Sequence, residues 1–380
     1  MPSRGGGPVG RHVLAGRETA WRDGLFVRDK AWQRARMRLR AALLSTIVLS
    51  VAGCRSGATA IAPEPHRDEV VVSLMGARLE PPPMTNEVRA KRERELADAR
   101  DAFRRAPDSA DALIWFGRRT AYLGRYNEAI ALFGEGIVKH PEDARFYRHR
   151  GHRYITVRRF DDAIGDLTMA ASLVRGAPDS VEPDGQPNAA NVPTTTLHGN
   201  IAYHLGLAHY LKANWASALQ AYEWCASTSN HPDHVVSSTY WRYLTLRRLG
   251  RHAEAAALLD PITPDMNLLE NHAYHRMLLA FKRGPSLRAP SAGGDRLGGA
   301  SPADPSRGDV RAARPRAGAA RDGFLEDATV GYGLGIWHLL EGHREEGERL
   351  LRRTMTGPMW AAFGAIAAEA EIARLEGRRI

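Results

Sequence analysis

Residues 123–143 read LGRYNEAIALFGEGIVKHPED, and their spacing is met again one unit further along the chain. Over residues 110–173, Gly117, Gly124, Ala129, Phe133 and Pro141 set a pattern that Gly151, Ala163, Leu167 and Ala170 repeat 34 positions later, with Arg158 where Gly124 would recur. Small residues at those places suit two helices joined by a tight turn. Gly117 and Gly151 let the first helix of each unit, helix A, lie close to the second, helix B. Gly124 ends helix A in the left-handed conformation, and Ala129 and Ala163 occupy the crossing.

On these residues the stretch resembles the tetratricopeptide repeat, and the quoted segment is similar to the second half of that unit. The resemblance implies an all-α fold, a right-handed superhelical solenoid of helix-turn-helix repeats in which each unit is stabilised by its neighbours. The first unit spans about Ala110 to Asp143 and the second Ala144 to about Gly176. Four prolines and polar residues over 176–198 break the period, which predicts an inserted loop. A third unit resumes near Gly199, with Gly206, Trp215, Ala218, Tyr222 and Cys225 on the pattern. A fourth starts near Val236, with Gly250 ending its helix A and Ala255 at the crossing.

Asn267 to Arg283 has the length of a further helix A without a helix B after it. Residues 285–323 are instead a run of Gly, Ala, Pro, Ser, Arg and Asp with almost no large apolar side chains, and disorder is expected there. The repeat spacing returns from Phe324 with Gly335, Gly342, Gly347 and Leu351, and Met359–Glu376 supplies an Ala-rich closing helix. At the other end, Glu87–Arg105 reads as a leading half-repeat, because Pro107 falls 34 residues before Pro141. The solenoid is thus expected over 86–284 and again over 324–380.

The formal charge of +10 is carried outside this body. Residues 1–40 hold ten Lys or Arg against three acids, and 284–323 hold seven Arg against four Asp, which leaves the repeats near neutral. Nucleic-acid binding is therefore not the expectation. Two cysteines in 380 residues speak against a disulfide framework or a Cys-rich zinc site.

Residues 1–36 are Gly- and Arg-rich without apolar periodicity, and Met37 opens a more coherent beginning. From there, Arg38 and Arg40 precede an apolar run from Ala41 to Val51 and the small pair Ala52-Gly53, a secretory signal over 37–53 too short to span a bilayer. Val51-Ala52-Gly53-Cys54 resembles the bacterial lipobox, which implies cleavage before Cys54 and lipidation of its thiol. Anchoring through several acyl chains would be stable. Arg55 in place of an aspartate favours the outer membrane over retention at the inner one. Residues 54–85, ending in Pro81-Pro82-Pro83, read as a flexible tether.

The tetratricopeptide resemblance also implies that helices A line a concave groove. It places Arg118 and Tyr122 there from the first unit, and Arg145, Arg148, His152 and Thr156 from the second. Asn200, Tyr203 and Tyr210 follow from the third, Tyr240, Arg247 and Arg248 from the fourth, Asn271 and Tyr274 from the unpaired helix, and Tyr332 from the last unit. A lining rich in arginine, tyrosine and asparagine suits an extended protein or peptide partner, acidic in character. The plainer alternative is a solvated face whose arginine stems cover apolar surface.

Other chemistries have weaker signals. His149 and His152 are three apart on one helix, but neighbouring arginines would repel a divalent cation, and no metal or cofactor is expected. His272 and His275 with Glu270 could serve a hydrolase, yet no nucleophile elbow, phosphate loop or HExxH motif is present, and an enzyme is not expected. Trp224, Trp241, Trp337 and Trp360 could form a sugar platform for a glycan-binding lipoprotein, but tryptophans at helical spacing more often fill the core. Cys225 reads as a packing thiol. The runs NHAYHRMLLAFKRG (271–284), GYGLGIWHLLEGHREEGERLL (331–351) and MWAAFGAIAAEAEIARL (359–375) resemble a bacterial family of tetratricopeptide lipoproteins without a settled role.

Overall fold

The computed structural model describes residues 70–229, 231–284 and 317–380, with the side chains of 317–327 excepted. The segments read as an N-terminal extension and a lipoprotein signal, Cys54 included, lie outside the described residues, as does 285–316. The first described element is a hairpin of β1 (Val71–Val72) and β2 (Arg78–Leu79). Helices follow as α1 (Asn86–Arg105), α2 (Ala110–Tyr122), α3 (Tyr126–Lys139), α4 (Ala144–Thr156), α5 (Phe160–Leu173), α6 (Leu197–Leu211) and α7 (Trp215–Ser227). The chain continues through α8 (Pro232–Arg248), α9 (His252–Ala257), α10 (His272–Arg283), α11 (Ala317–Leu340), α12 (Arg344–Met355) and α13 (Phe363–Leu375). It is an all-α solenoid of tetratricopeptide helix-turn-helix units, in which α2, α4, α6, α8 and α11 are helices A and α3, α5, α7, α9 and α12 helices B. Among the described residues no helix is long and apolar enough to cross a membrane.

One contact repeats through the fold and explains the glycine spacing. A Cβ added at Gly117 would lie 2.5 Å from Phe133 Cε1, at Gly151 2.7 Å from Leu167 Cγ, at Gly206 2.7 Å from Tyr222 Cδ1 and at Gly335 2.8 Å from Leu351 Cδ2. Each pair is sixteen residues apart in the sequence, so a glycine on helix A receives a large side chain from helix B. The fourth unit has Tyr243 at this position. Helix B cannot approach a tyrosine so closely, and α9 ends after six residues. Tyr243 stacks on Phe281 of α10 instead, with ring centroids 4.7 Å apart.

The turns after helices A share one left-handed residue. It is Gly124, Gly250 and Gly342 in three units, but Arg158 (φ 66°) and Ala213 (φ 59°) in the other two. A side chain in that conformation costs roughly 1–3 kcal/mol, and such strain persists where the surroundings hold it.

Helix starts differ from the sequence expectation in three places. α8 begins at Pro232, four residues before Val236, because proline is well suited to a first helical turn. The helix expected from Asn267 starts at His272, since Asp233 holds the preceding chain by accepting the backbone N–H groups of Leu269, Glu270 and Asn271. α11 is helical from Ala317, ahead of Phe324.

From α2 to α8 each helix A touches the next, α2 to α4, α4 to α6 and α6 to α8, whereas helices B make no comparable contact with one another. Helices A therefore form the tighter, inner layer. α13 lies against α11, α12 and α6, and its residues from Gly364 to Ala373 are all buried. The last stretch read as tether also folds inward: Trp360 Nε1 donates to the Glu80 carbonyl at 2.6 Å, and Leu74 N–H donates to Glu369.

Candidate inner-face binding site

Two parts of the chain itself lie on the layer of helices A. The first is α13, which reaches the C-terminal ends of α4, α6 and α8. Arg158, at the strained turn after α4, pairs with Glu369 at 2.5 Å and donates to the Trp360 carbonyl at 3.0 Å, with both side chains of the pair under 5% exposed. Glu371 pairs with Arg248 and Arg374. Burial alone would raise the Glu371 pKa, but the two guanidiniums outweigh it and hold the carboxyl below its ordinary value. Arg374 also donates to the Leu211 carbonyl at 2.6 Å.

The second is the inserted loop between α5 and α6, which runs from the N-terminal halves of α6 and α4 to the C-terminal end of α2. Val181 pairs with Thr196 in an isolated antiparallel bridge, and Glu182 N–H donates to the Thr195 carbonyl at 3.2 Å. The loop then runs along groove side chains. Arg118 donates to the Pro183 carbonyl at 2.9 Å, Arg119 to the Gly185 carbonyl at 3.0 Å, and Arg92 to Gln186 Oε1 at 2.8 Å. Glu182 is 7% exposed, with Arg148 Nε at 3.0 Å, His149 Nε2 at 3.6 Å, and Asn200 Nδ2 donating to it at 3.0 Å. Gly185 passes over Tyr122, where a Cβ would overlap the tyrosine hydroxyl.

Between loop and helices remains a cavity of about 340 Å³. Seven of the residues expected in the groove line it: Arg118, Arg148, His152, Asn200, Tyr203, Asn271 and Tyr274. Glu182, Asp184 and Thr194 from the loop, His204 from α6, Glu270 and Phe363 are also in the wall. Tyr203 and Tyr274 share a 3.1 Å hydroxyl contact, and Trp241 Nε1 donates to Tyr203 at 2.8 Å, which fixes both rings. Phe363 brings α13 to the same cavity, within 5.3 Å of the His152 ring and 5.6 Å of the His204 ring.

The other expected residues sit elsewhere, for identifiable reasons. Tyr210, Tyr240 and Tyr332 are wholly buried, and a partner could not reach them. Tyr332 donates to Tyr210 at 2.8 Å and Tyr240 to the Thr329 carbonyl at 3.3 Å, because α11 packs over the layer that the groove rule leaves open. Thr156 is buried as well, its hydroxyl on the His152 carbonyl. Arg145 chelates Asp143 and reaches Asp111 at 2.5 Å, pairings that raise its pKa. Arg247 pairs with Glu341 at 2.5 Å, and Arg248 serves α13.

Burial lowers the pKa of His149 and His204 well below the histidine value, and Arg148 lowers both further. Burial also lowers the Arg148 pKa, while Glu182 acts to raise it. These rings are therefore neutral polar walls at neutral pH. His204 Nδ1 donates to the Asn200 backbone carbonyl at 2.6 Å, which orients the His204 ring.

Glu182, Arg119, His204 and Phe363 were missed from the sequence. Arg119 and His204 lie on helices A beside the positions that the groove rule selects, and Glu182 and Phe363 come from an insertion and from the far end of the chain, which that rule does not consider. Glu182 had a partial signal, as an acidic residue inside a proline-rich break beside a basic face.

The remaining chemistries find no assembled centre among the described residues. His275 Nε2 lies 2.7 Å from the Thr263 carbonyl and Glu270 accepts from Thr194 at 2.5 Å, so both are engaged in packing contacts. Trp241, Trp337 and Trp360 are buried and Trp224 packs partly against the core between α5 and α6, which leaves no exposed tryptophan platform. Cys225 is fully buried with His234 Nε2 3.1 Å from its sulfur, and burial raises its pKa.

No family model and no curated protein matches the chain. Among solved structures it is similar to a tetratricopeptide repeat protein from Parabacteroides merdae, at 13% identity over 75% of this chain and 100% of that one, with a TM-score of 0.39. It is similar also to TTC0263, a thermophilic TPR protein of Thermus thermophilus, at 16% identity over 50% and 92% of the two chains, with a TM-score of 0.37. A third similarity, at 13% identity over 71% and 97% with a TM-score of 0.35, is to YrrB, a TPR protein with an unusual peptide-binding site.

Proposed function

We propose that this chain is a membrane-anchored protein-interaction scaffold whose inner face receives an extended, acidic segment of a partner protein. The observation that carries the reading is the way the face treats residues 180–186. Three arginines donate to the main chain or an amide of that segment, and Arg148 with Asn200 takes its carboxylate. Side chains arranged this way recognise an extended backbone and one acid, whatever chain supplies them. The anchoring rests on the sequence of residues 37–54, and the cell envelope, at the outer membrane, is the proposed location. No catalytic role is assigned.

The test is capture from the native envelope by the full chain, with cross-linking to locate the bound segment. Cross-links to α2, α4 and α6 on the inner face, lost with Arg118→Glu, are the expected result. Cross-links confined to helices B, or capture unchanged by Arg118→Glu, would refute the reading. Metabolic labelling with a fatty-acid probe, abolished by Cys54→Ala, tests the anchor separately.

A further inference from the structure

The geometry points to the inserted loop as a built-in occupant of the partner groove, one that a partner segment must displace and whose contacts specify what that segment presents. The inference rests on the partner-binding reading above and adds to it the identity of the competitor and the chemistry of the contact point.

Three observations carry it. First, the loop is held by polar contacts almost alone. The residues it buries are Glu182, Gly185, Thr194 and Thr196, while Val181 and Val192 remain 59% and 43% exposed. A segment that buries no large apolar side chain gains little from hydrophobic burial, so its hold on the body is shallow. Secondly, its contacts are of the kind a separate peptide would make: backbone carbonyls of Pro183 and Gly185 taken by Arg118 and Arg119, and one carboxylate taken by Arg148 and Asn200. Thirdly, its ends are fixed independently of that grip. Leu197 N–H donates to the Ser180 carbonyl, His198 N–H to Asp179 at 3.0 Å and Gly199 N–H to Thr196 at 3.1 Å. The segment from 182 to 193 can leave the groove while both anchors stay in place.

The displaced contacts define the partner. Arg148 is buried and Glu182 is its carboxylate partner, so an incoming chain that removes Glu182 must bring a carboxylate of its own, or leave a buried guanidinium uncompensated. That acid must be followed by backbone with carbonyls free for Arg118 and Arg119 and a bend like that at Gly185–Gln186. Tyr122 lies under the next position and admits glycine or a residue without bulk, as at Gly185. The partner is thus an acidic protein segment with a small residue three positions after its key acid.

The loop itself is the probe. A fluorescent peptide of residues 179–192, DSVEPDGQPNAANV, is titrated into the full chain, into Gly185→Val and into Glu182→Gln. Gly185→Val adds a side chain that collides with the Tyr122 hydroxyl and the Arg118 guanidinium and expels the loop without substituting any groove residue; Glu182→Gln removes the carboxylate from an intact chain. We expect the peptide to bind both variants at least about tenfold more tightly than the native chain, the scale of one charged hydrogen bond. The same peptide carrying glutamine in place of its glutamate should lose about the same factor. Hydrogen exchange of the two variants should show residues 180–186 losing protection while α2, α4 and α6 keep theirs.

Exchange in 180–186 that stays at the native level in both variants would overturn the inference, as would a released loop with no peptide binding in trans. The partner reading fails in a different way. If the peptide binds in trans but Gly185→Val captures no envelope protein, the occupant stands and the partner does not. A captured protein that the loop peptide cannot compete away keeps the partner and removes the occupant.

Discussion

The inner layer of helices A is covered over its two halves by two kinds of structure, and the contrast between them is instructive. Toward the C-terminal ends of the helices lies α13, buried along its length, with two carboxylates neutralised by Arg158, Arg248 and Arg374. From the N-terminal ends of α6 and α4 across to the last turn of α2 lies a loop that buries one carboxylate and small or polar residues. Both halves contain an arginine–glutamate pair. What differs is the apolar surface around the pair, and burial of apolar surface, more than ion pairing, makes a contact permanent. The α13 half is part of the core, and the loop half is a surface that something else can occupy.

The largest effect expected to separate the halves comes from Glu369→Ala. It leaves Arg158 buried without its partner at an already strained turn, and should cost about 3–5 kcal/mol of global stability by urea denaturation. An effect below about 1 kcal/mol would show α13 to be as detachable as the loop.

Acid should act next, and its sign follows from the direction of the shifts. His149 and His204 have folded pKa values well below the unfolded value of 6.5, so the unfolded chain binds more protons as pH falls through 6.5. Their contribution is complete above that pH and is lost below it, by up to about 1.4 kcal/mol per pH unit for each ring. Melting temperature should therefore fall from pH 6.5 toward 5, and His204→Gln should flatten the slope. Glu182 faces His149 and opposes this trend, while Arg148, Arg118 and Arg153 reinforce it. A flat profile in the native chain would contradict the burial of both rings.

Glu182→Gln should cost less, about 1–2 kcal/mol in urea denaturation, because the loop can swing outward and let water reach Arg148. A loss as large as that from Glu369→Ala would erase the distinction between the halves. The smallest effect is expected from Arg145→Ala, below about 1 kcal/mol and without change in peptide binding, since its partners are exposed or lie on its own turn.

The repeats were readable in the sequence because each depends on contacts of fixed spacing. The Gly117–Phe133, Gly151–Leu167, Gly206–Tyr222 and Gly335–Leu351 contacts all recur at one separation, and a local rule suffices for a local contact. The candidate site was readable only in part. Arg118, Arg148, His152, Asn200, Tyr203, Asn271 and Tyr274 reach the cavity by their places on helices A or the start of α10. Tyr210, Tyr240 and Tyr332 obey the same rule and are nonetheless buried, because α11 packs its inner face, Tyr332 included, onto Tyr210 and Tyr240.

The sequence by itself therefore determined the unit, its turns and the residues facing inward, since helical periodicity and steric demands at glycine act within a few tens of residues. Only the tertiary structure decided what that face meets. Arg158 and Glu369 are 211 positions apart, and Arg148 and Glu182 belong to different elements. No periodicity relates such residues; they meet because the chain returns its last helix and the loop between α5 and α6 to its own inner layer.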